Sequence, residues 1–260
     1  MTQVLVTRPA LDAGPWITSI QNAGLEPVAF PLLELKEQLK PHEVPAVLAE
    51  IQSSHAVMFV SANAVRFLAQ ALEQRPEWVQ SFNQNTRAWC TGPGTASALM
   101  WAGIAASQID QPSENAQQLD SEALWQVVKG QVKPGIKVLF VRGADETGAI
   151  AGRDWLAQQV ASCGAQVQAI AAYQRQAIQL TPEQVTQVNL WIEQQVVWLF
   201  SSSACVQALT DQCGQADWAN ARAVVTHPRI AALAQQLGWR NTTIASPGMK
   251  AMLASIKSMA

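Results

Sequence analysis

Tyr173 is the only tyrosine in a chain of 260 residues that also carries ten tryptophans and six phenylalanines. Aromatic bulk is supplied elsewhere without a hydroxyl. This phenol, expected at the end of a strand and partly exposed, is therefore a candidate proton donor, a role worth ~10²–10⁴-fold in rate. The alternative is a packing tyrosine between two lobes. The other polar residues that could act stand in short turns. They are Ser61 and Asn63 in FVSANAV, Thr91 and Thr95 in CTGPGT, Ser201 and Ser202 in LFSSSAC, and Thr226 and His227 in VVTHPR. Arg8 and Arg142 close two similar runs, VLVTRP and VLFVRG. Hydroxyls, guanidinium groups and the free amides of helix N-termini together suit an anionic ligand.

Several familiar chemistries are excluded. Gly92-Pro93-Gly94 lacks the third glycine of a dinucleotide fingerprint, and its proline obstructs close backbone approach. There is no Walker loop and no GxSxG elbow. A receiver-type phosphoacceptor needs acidic residues after the first strand, where this chain has Thr7-Arg8-Pro9. His42, His55 and His227 have no metal-ligand spacing, and Cys90, Cys163, Cys205 and Cys213 form no CxxC pair. The cysteines are expected to be single buried thiols in a reducing cytosol. Net charge is −2, with no long same-sign block, which argues against a nucleic-acid or membrane surface. MTQVLVTRP lacks the basic and apolar regions of a signal peptide, and no apolar run approaches the ~18 residues of a membrane span. A soluble, cytoplasmic protein is expected.

The elements that must position these turns are short apolar runs alternating with segments of helical period, the pattern of a parallel sheet covered by helices. Three strand-turn-helix units recur in the same order: VLVTRP with VLFVRG, the Ser61 turn with the Ser201 turn, and RAWCTGP with RAVVTHP. Agreement in order, spacing and turn residues implies an internal duplication. Ligands meet such sheets at the carboxyl ends of the strands. Ser61, Asn63, Thr91, Ser203, Thr226 and Ser246 are N-cap candidates there, each worth ~1 kcal/mol as a cap. Pro93, Pro228 and Pro247 suit first helical turns.

VLVTRP, FVSANAV, CTGPGTASAL, VLFVRG, AAYQR, LFSSSA and VTHPRIAALA, in that order over essentially the whole chain, resemble the uroporphyrinogen-III synthases. No single motif is specific; the ordered set with the lone Tyr173 carries the likeness. The resemblance implies an α/β protein of two similar parallel-sheet, three-layer domains of flavodoxin-like or Rossmann-like type, joined by a two-stranded linker with a cleft between them. Domain 1 would comprise 1–34 and 177–260, domain 2 would comprise 37–171, and 31–36 with 172–176 would form the linker hinge.

It further implies an enzyme of tetrapyrrole (haem) biosynthesis, a cyclising hydro-lyase that closes hydroxymethylbilane with loss of water and inversion of its last ring, needing no cofactor or metal. Tyr173 matches the family's cleft tyrosine as donor to the departing hydroxyl. Ser61, Thr91, Thr95, Ser201, Ser202 and Thr226 match cleft positions, and Asn63 and His227 join them as candidate contacts for a polycarboxylate. Arg8 and Arg142 are either ligand-facing or braces of their turns. One departure is Thr226-His227-Pro228-Arg229, where many relatives carry a turn like Gly-Pro-Thr. A monomer is expected. Two other readings stay open: a non-catalytic two-lobed module binding an anionic ligand such as a tetrapyrrole, and a two-lobed transferase, for which no base or metal carboxylate is visible at a strand end. Turnover should survive EDTA; loss of activity restored by zinc or magnesium would contradict the sequence reading.

Overall fold

The computed structural model describes residues 2–84, 86–113, 118–150, 154–246 and 248–259. The chain forms β1 (Gln3–Val6), α1 (Ala10–Asn22), β2 (Glu26–Ala29), β3 (Leu33–Glu37), α2 (Val44–Ser53), β4 (Ala56–Phe59), α3 (Ala62–Ala71), α4 (Glu77–Gln84), β5 (Arg87–Cys90), α5 (Pro93–Trp101) and β6 (Ile109–Asp110). It continues through α6 (Ser121–Val128), β7 (Lys137–Ala144), α7 (Trp155–Ser162), β8 (Gln166–Ala177), α8 (Pro182–Glu193), β9 (Val197–Phe200), α9 (Ser203–Gln212), β10 (Arg222–Val225), α10 (Pro228–Gln236), β11 (Asn241–Ile244) and α11 (Met249–Met259). Two compact units result: Met1–Leu35 with Gln176–Ala260, and Lys36–Arg175.

In the first unit the strand order is β11-β10-β9-β1-β2, and every pair runs parallel. Numbered along its own chain segments, this is 2-1-3-4-5, the flavodoxin-like order. In the second the order is β3-β8-β7-β4-β5-β6. Taking β7 and β8 as counterparts of β1 and β2, the sheet without β3 has the same 2-1-3-4-5 order. Each sheet therefore combines units from both halves of the duplication. β1 pairs with β9 (Val4 level with Val197), and β7 pairs with β4 (Val138 level with Ala56). β3 lies beside β8 at the edge. Main-chain bonds from Gln38 N to Ala172 O and from Ile178 N to Leu32 O place the two strands antiparallel.

Strands buried on both faces read as continuous apolar runs, which explains VLV, AVMF and VWLF. Alternate residues serve opposite layers. On one face of the first sheet Leu5, Trp198, Phe200, Ala223 and Val225 pack with Val188, Val206 and Ile230. On the other, Val4, Val6, Val197, Leu199 and Val224 meet Ile20, Met252 and Ile256. In the second unit Met58, Trp89, Val138 and Phe140 pack with Leu124, Leu156 and Val160. Val57, Phe59, Leu139 and Val141, of opposite parity, are also buried.

The caps show how proline shifts a helix start. Pro93 and Pro228 occupy the first helical position, so the cap falls on the residue just before each: Gly92 and His227. Thr91 and Thr226, expected as caps, stand one place too early. Ser61 caps α3 as expected, accepting from Ala64 N at 3.1 Å. Asn63 instead lies inside α3, its Oδ1 accepting from Arg66 Nη1 at 3.2 Å. Ser202 caps α9 through Ala204 N at 3.2 Å, and Ser203 is already helical. Ser246 stands three positions before the first residue of α11; Pro247 lies outside the described residues.

Trp198 is the hub of the first unit's aromatic core, fully buried with Phe30, Trp191, Phe200, Trp218 and Trp239 at centroid distances of 6.0–6.4 Å. Its truncation leaves a large cavity in a close-packed layer. Trp198→Ala should cost ~3–5 kcal/mol in urea unfolding, and a loss below ~1 kcal/mol would show that the layer can collapse to fill the gap.

Candidate active site

A 2-1-3-4-5 sheet places its switch point between its first and third strands, where ligands bind at the carboxyl ends. Those points are β1/β9 in the first unit and β7/β4 in the second; Arg8, Ser201 and Ser61 stand in the turns after β1, β9 and β4, and Arg142 near the end of β7.

At the first edge, Thr7 is fully buried and donates its hydroxyl to Leu199 O at 2.7 Å, tying β1 to β9 beyond their ladder. The Arg8 guanidinium lies over Trp16, 4.8 Å from the ring centroid. Ser201 and Ser202 are half-buried at the start of α9. Thr226 continues the ladder through its N–H to Phe200 O at 3.2 Å. His227 Nδ1 accepts from Arg229 N at 3.1 Å, so its side chain closes the helix start. This explains how histidine substitutes here for a hydroxyl: an imidazole nitrogen accepts the same amide proton.

The second edge gathers Tyr173 and Ser61. Tyr173 sits within β8 rather than at its end, and it is 2% exposed, so the expectation of a partly exposed phenol is corrected. The cause is an irregularity in the β7–β8 register: Arg142 is level with Ala171, but Gly143 is level with Tyr173, leaving Ala172 as an extra residue. The ring occupies the space a side chain at position 143 would need. A Cβ there would lie 2.6 Å from Tyr173 Cζ and 2.7 Å from Cε2. The ring also stacks on Phe67 of α3, with centroids 5.4 Å apart. The phenol oxygen lies 3.2 Å from Ser61 Oγ and accepts from Arg175 Nη2 at 3.0 Å.

Of the two alternatives, Arg142 fits a brace better than a ligand contact. It is 3% exposed, paired with Asp154 at 2.5 Å and lies over the Phe140 ring at 5.1 Å. It braces β7 against the start of α7. Its position also differs from that of Arg8, because β7 runs on to Ala144 while β1 ends at Val6. Thr95 is buried inside the first turn of α5, and Thr91 is half-buried before the Gly92 cap. Among the described residues no group of three or more His, Cys, Asp or Glu could hold a metal ion. Burial pushes the Cys90 thiol up to about 11, which keeps it unreactive near neutral pH. Cys90, Cys205 and Cys213 are buried free thiols as expected, whereas Cys163 is only half-buried.

The sequence profile described as uroporphyrinogen-III synthase HemD matches residues 15–254. The chain belongs to the uroporphyrinogen-III synthase family. The uroporphyrinogen-III synthase of Escherichia coli K12 is 25% identical over 252 residues, covering 93% of this chain and 94% of that protein. That of Chlorobaculum parvum is 30% identical over 151 residues, which span 58% of this chain and 56% of that protein. The crystal structure of the uroporphyrinogen-III synthetase of Helicobacter pylori 26695 matches with a TM-score of 0.63 at 15% identity, covering all of both chains. This last likeness is one of fold.

Within this uroporphyrinogen-III synthase fold, Arg175, Gly143 and Phe67 are the site residues that sequence reasoning missed. Arg175 was open to detection, since residues i and i+2 of a strand share a face. Gly143 was hidden, because its role follows from the irregular register. Gly143→Ala should force the Tyr173 ring off its seat and cost ~1–3 kcal/mol in chemical unfolding. An unchanged midpoint would show that β7 and β8 separate freely at this point.

Proposed function

We propose that the chain acts on hydroxymethylbilane at the strand-end edge that carries Tyr173, with the phenol as the source of the proton that leaves with the substrate's terminal hydroxyl. Family membership gives the activity, a hydro-lyase forming uroporphyrinogen III. The observation that supports the site is the Tyr173 hydroxyl held between Ser61 and Arg175. Loss of hydroxide from the linear tetrapyrrole is difficult unless the oxygen is protonated as the C–O bond breaks. A phenol fixed by two partners supplies that proton at little reorganisation cost.

Each strand-end edge, taken by itself, offers further donors that suit carboxylates. Ser201, Ser202, Thr226 and the amides opening α9 and α10 suit one edge; Thr91 and the amides opening α5 suit the other. Arg8 is the cation placed at the first switch point. None of the four cysteines is in a disulfide, which supports a reducing compartment such as the cytoplasm.

Tyr173→Phe tests the donor. Enzymatic formation of uroporphyrinogen III should fall by ~10- to 10³-fold, with the linear substrate closing instead to the uninverted type I isomer. The buried hydroxyl also contributes to stability, so a loss of ~1 kcal/mol is expected alongside. Full type III output from a less stable Phe variant would make Tyr173 a packing residue.

A further inference from the structure

Tyr173 and Ser61 differ in access. Tyr173 is 2% exposed, stacked on Phe67 and packed against Gly143, whereas Ser61 is half-buried at the N-cap of α3. Two of the hydrogen bonds around them have a defined direction. Arg175 Nη2 donates to the phenol oxygen at 3.0 Å, and a guanidinium can only donate. The phenol can donate as well as accept, and Ser61 Oγ, 3.2 Å away, is within hydrogen-bond reach of its proton. Ser61 Oγ also accepts from Ala64 N at 3.1 Å. When the phenol donates to Ser61, that oxygen accepts twice and its own proton is left to donate to a third group.

We propose that Ser61 is the group that hands the proton to the substrate, that Tyr173 reloads it, and that Arg175 is a positioning residue that sets the direction of this relay. The proposal rests on Tyr173 as the proton's source and names its route. The Ser61 O–H bond breaks as a new O–H bond forms on the substrate's terminal hydroxyl, and the C–O bond cleaves to release water. The phenolic proton moves to Ser61 Oγ, leaving a phenolate that keeps the charge-assisted bond from Arg175. Because water alone is lost overall, the substrate returns one proton as the ring closes, and it travels back through Ser61 to the phenolate. The difference in exposure separates this from direct donation: a phenol 2% exposed reaches substrate only after moving, while the half-buried Ser61 is the more accessible hydroxyl.

Ser61 also caps α3, so the test needs a variant that caps without relaying. Asparagine caps as well as serine but has no hydroxyl proton to exchange. With the full chain and hydroxymethylbilane, Ser61→Asn should keep the melting temperature and lose ~10-fold or more in kcat for type III product, with KM little changed. Ser61→Thr should recover most of the rate. Arg175→Gln should lower kcat with KM little changed, and Arg175→Lys, which keeps a charged donor, should restore part of it. The double variant Ser61→Asn/Tyr173→Phe should be about as slow as Tyr173→Phe alone, since residues acting as one unit are not additive. Ser61→Asn running near the parent rate while Tyr173→Phe is slow would overturn the relay and leave direct donation. Ser61→Thr as slow as Ser61→Asn would also overturn it. Full activity in Tyr173→Phe would instead remove the donor reading beneath it.

Discussion

The parallel pairings of β1 with β9 and of β7 with β4 are the contacts on which everything else depends. Each joins strands from opposite halves of a duplicated sequence, and each creates the switch point where turns of two strands diverge. Remove them and neither sheet has a centre: β1-β2 and β9-β10-β11 become edge fragments, as do β7-β8 and β4-β5-β6. The β1–β9 pairing closes most of the chain into a loop, so the entropy of bringing distant strands together must be met before their contacts reward it. The buried apolar runs on both faces of each strand are what meet that cost, and Trp198 with its ring of aromatic neighbours is the densest example.

On that frame the site turns on one extra residue. A regular β8 would continue the register that sets Arg142 level with Ala171, and Ala172 would meet Gly143. The shift brings Tyr173 level with Gly143 instead, and the missing Cβ opens the space that the ring fills. Arg175, two residues on, shares the face and reaches back to the phenol oxygen. Ser61 arrives from β4, held by its duty as cap of α3. A chemical group is thus fixed by three structural devices that would each exist for other reasons: an irregular strand, a helix cap and a stacked phenylalanine.

The duplication also shows how equivalent positions part company. Arg8 and Arg142 end similar runs, yet β7 continues past Arg142 and buries it against Phe140 and Asp154, while Arg8 lies beyond the end of β1 over Trp16. Thr91 and Thr226 are likewise equivalent, and both lose the cap to their neighbour because a proline fixes the first helical position two residues on. Local rules decide these differences once strand length is known, but strand length itself is set by pairing partners.

The sequence by itself determined the alternation of strands and helices, the duplication, the strand-end turns and the singular status of Tyr173. These are local: hydrophobic period, turn chemistry and residue choice act over a few positions and leave a legible trace. It also placed Ser61 as a cap, since the hydroxyl and the amide it satisfies are three residues apart. The tertiary structure alone decided which Arg is a brace, that the phenol is buried rather than partly exposed, and that Arg175 and Gly143 belong to its setting. Each of those depends on which strand lies beside which and in what register. A one-residue shift in β8 leaves no mark in composition or periodicity, yet it decides what Tyr173 touches, because side-chain direction in a strand changes with every residue.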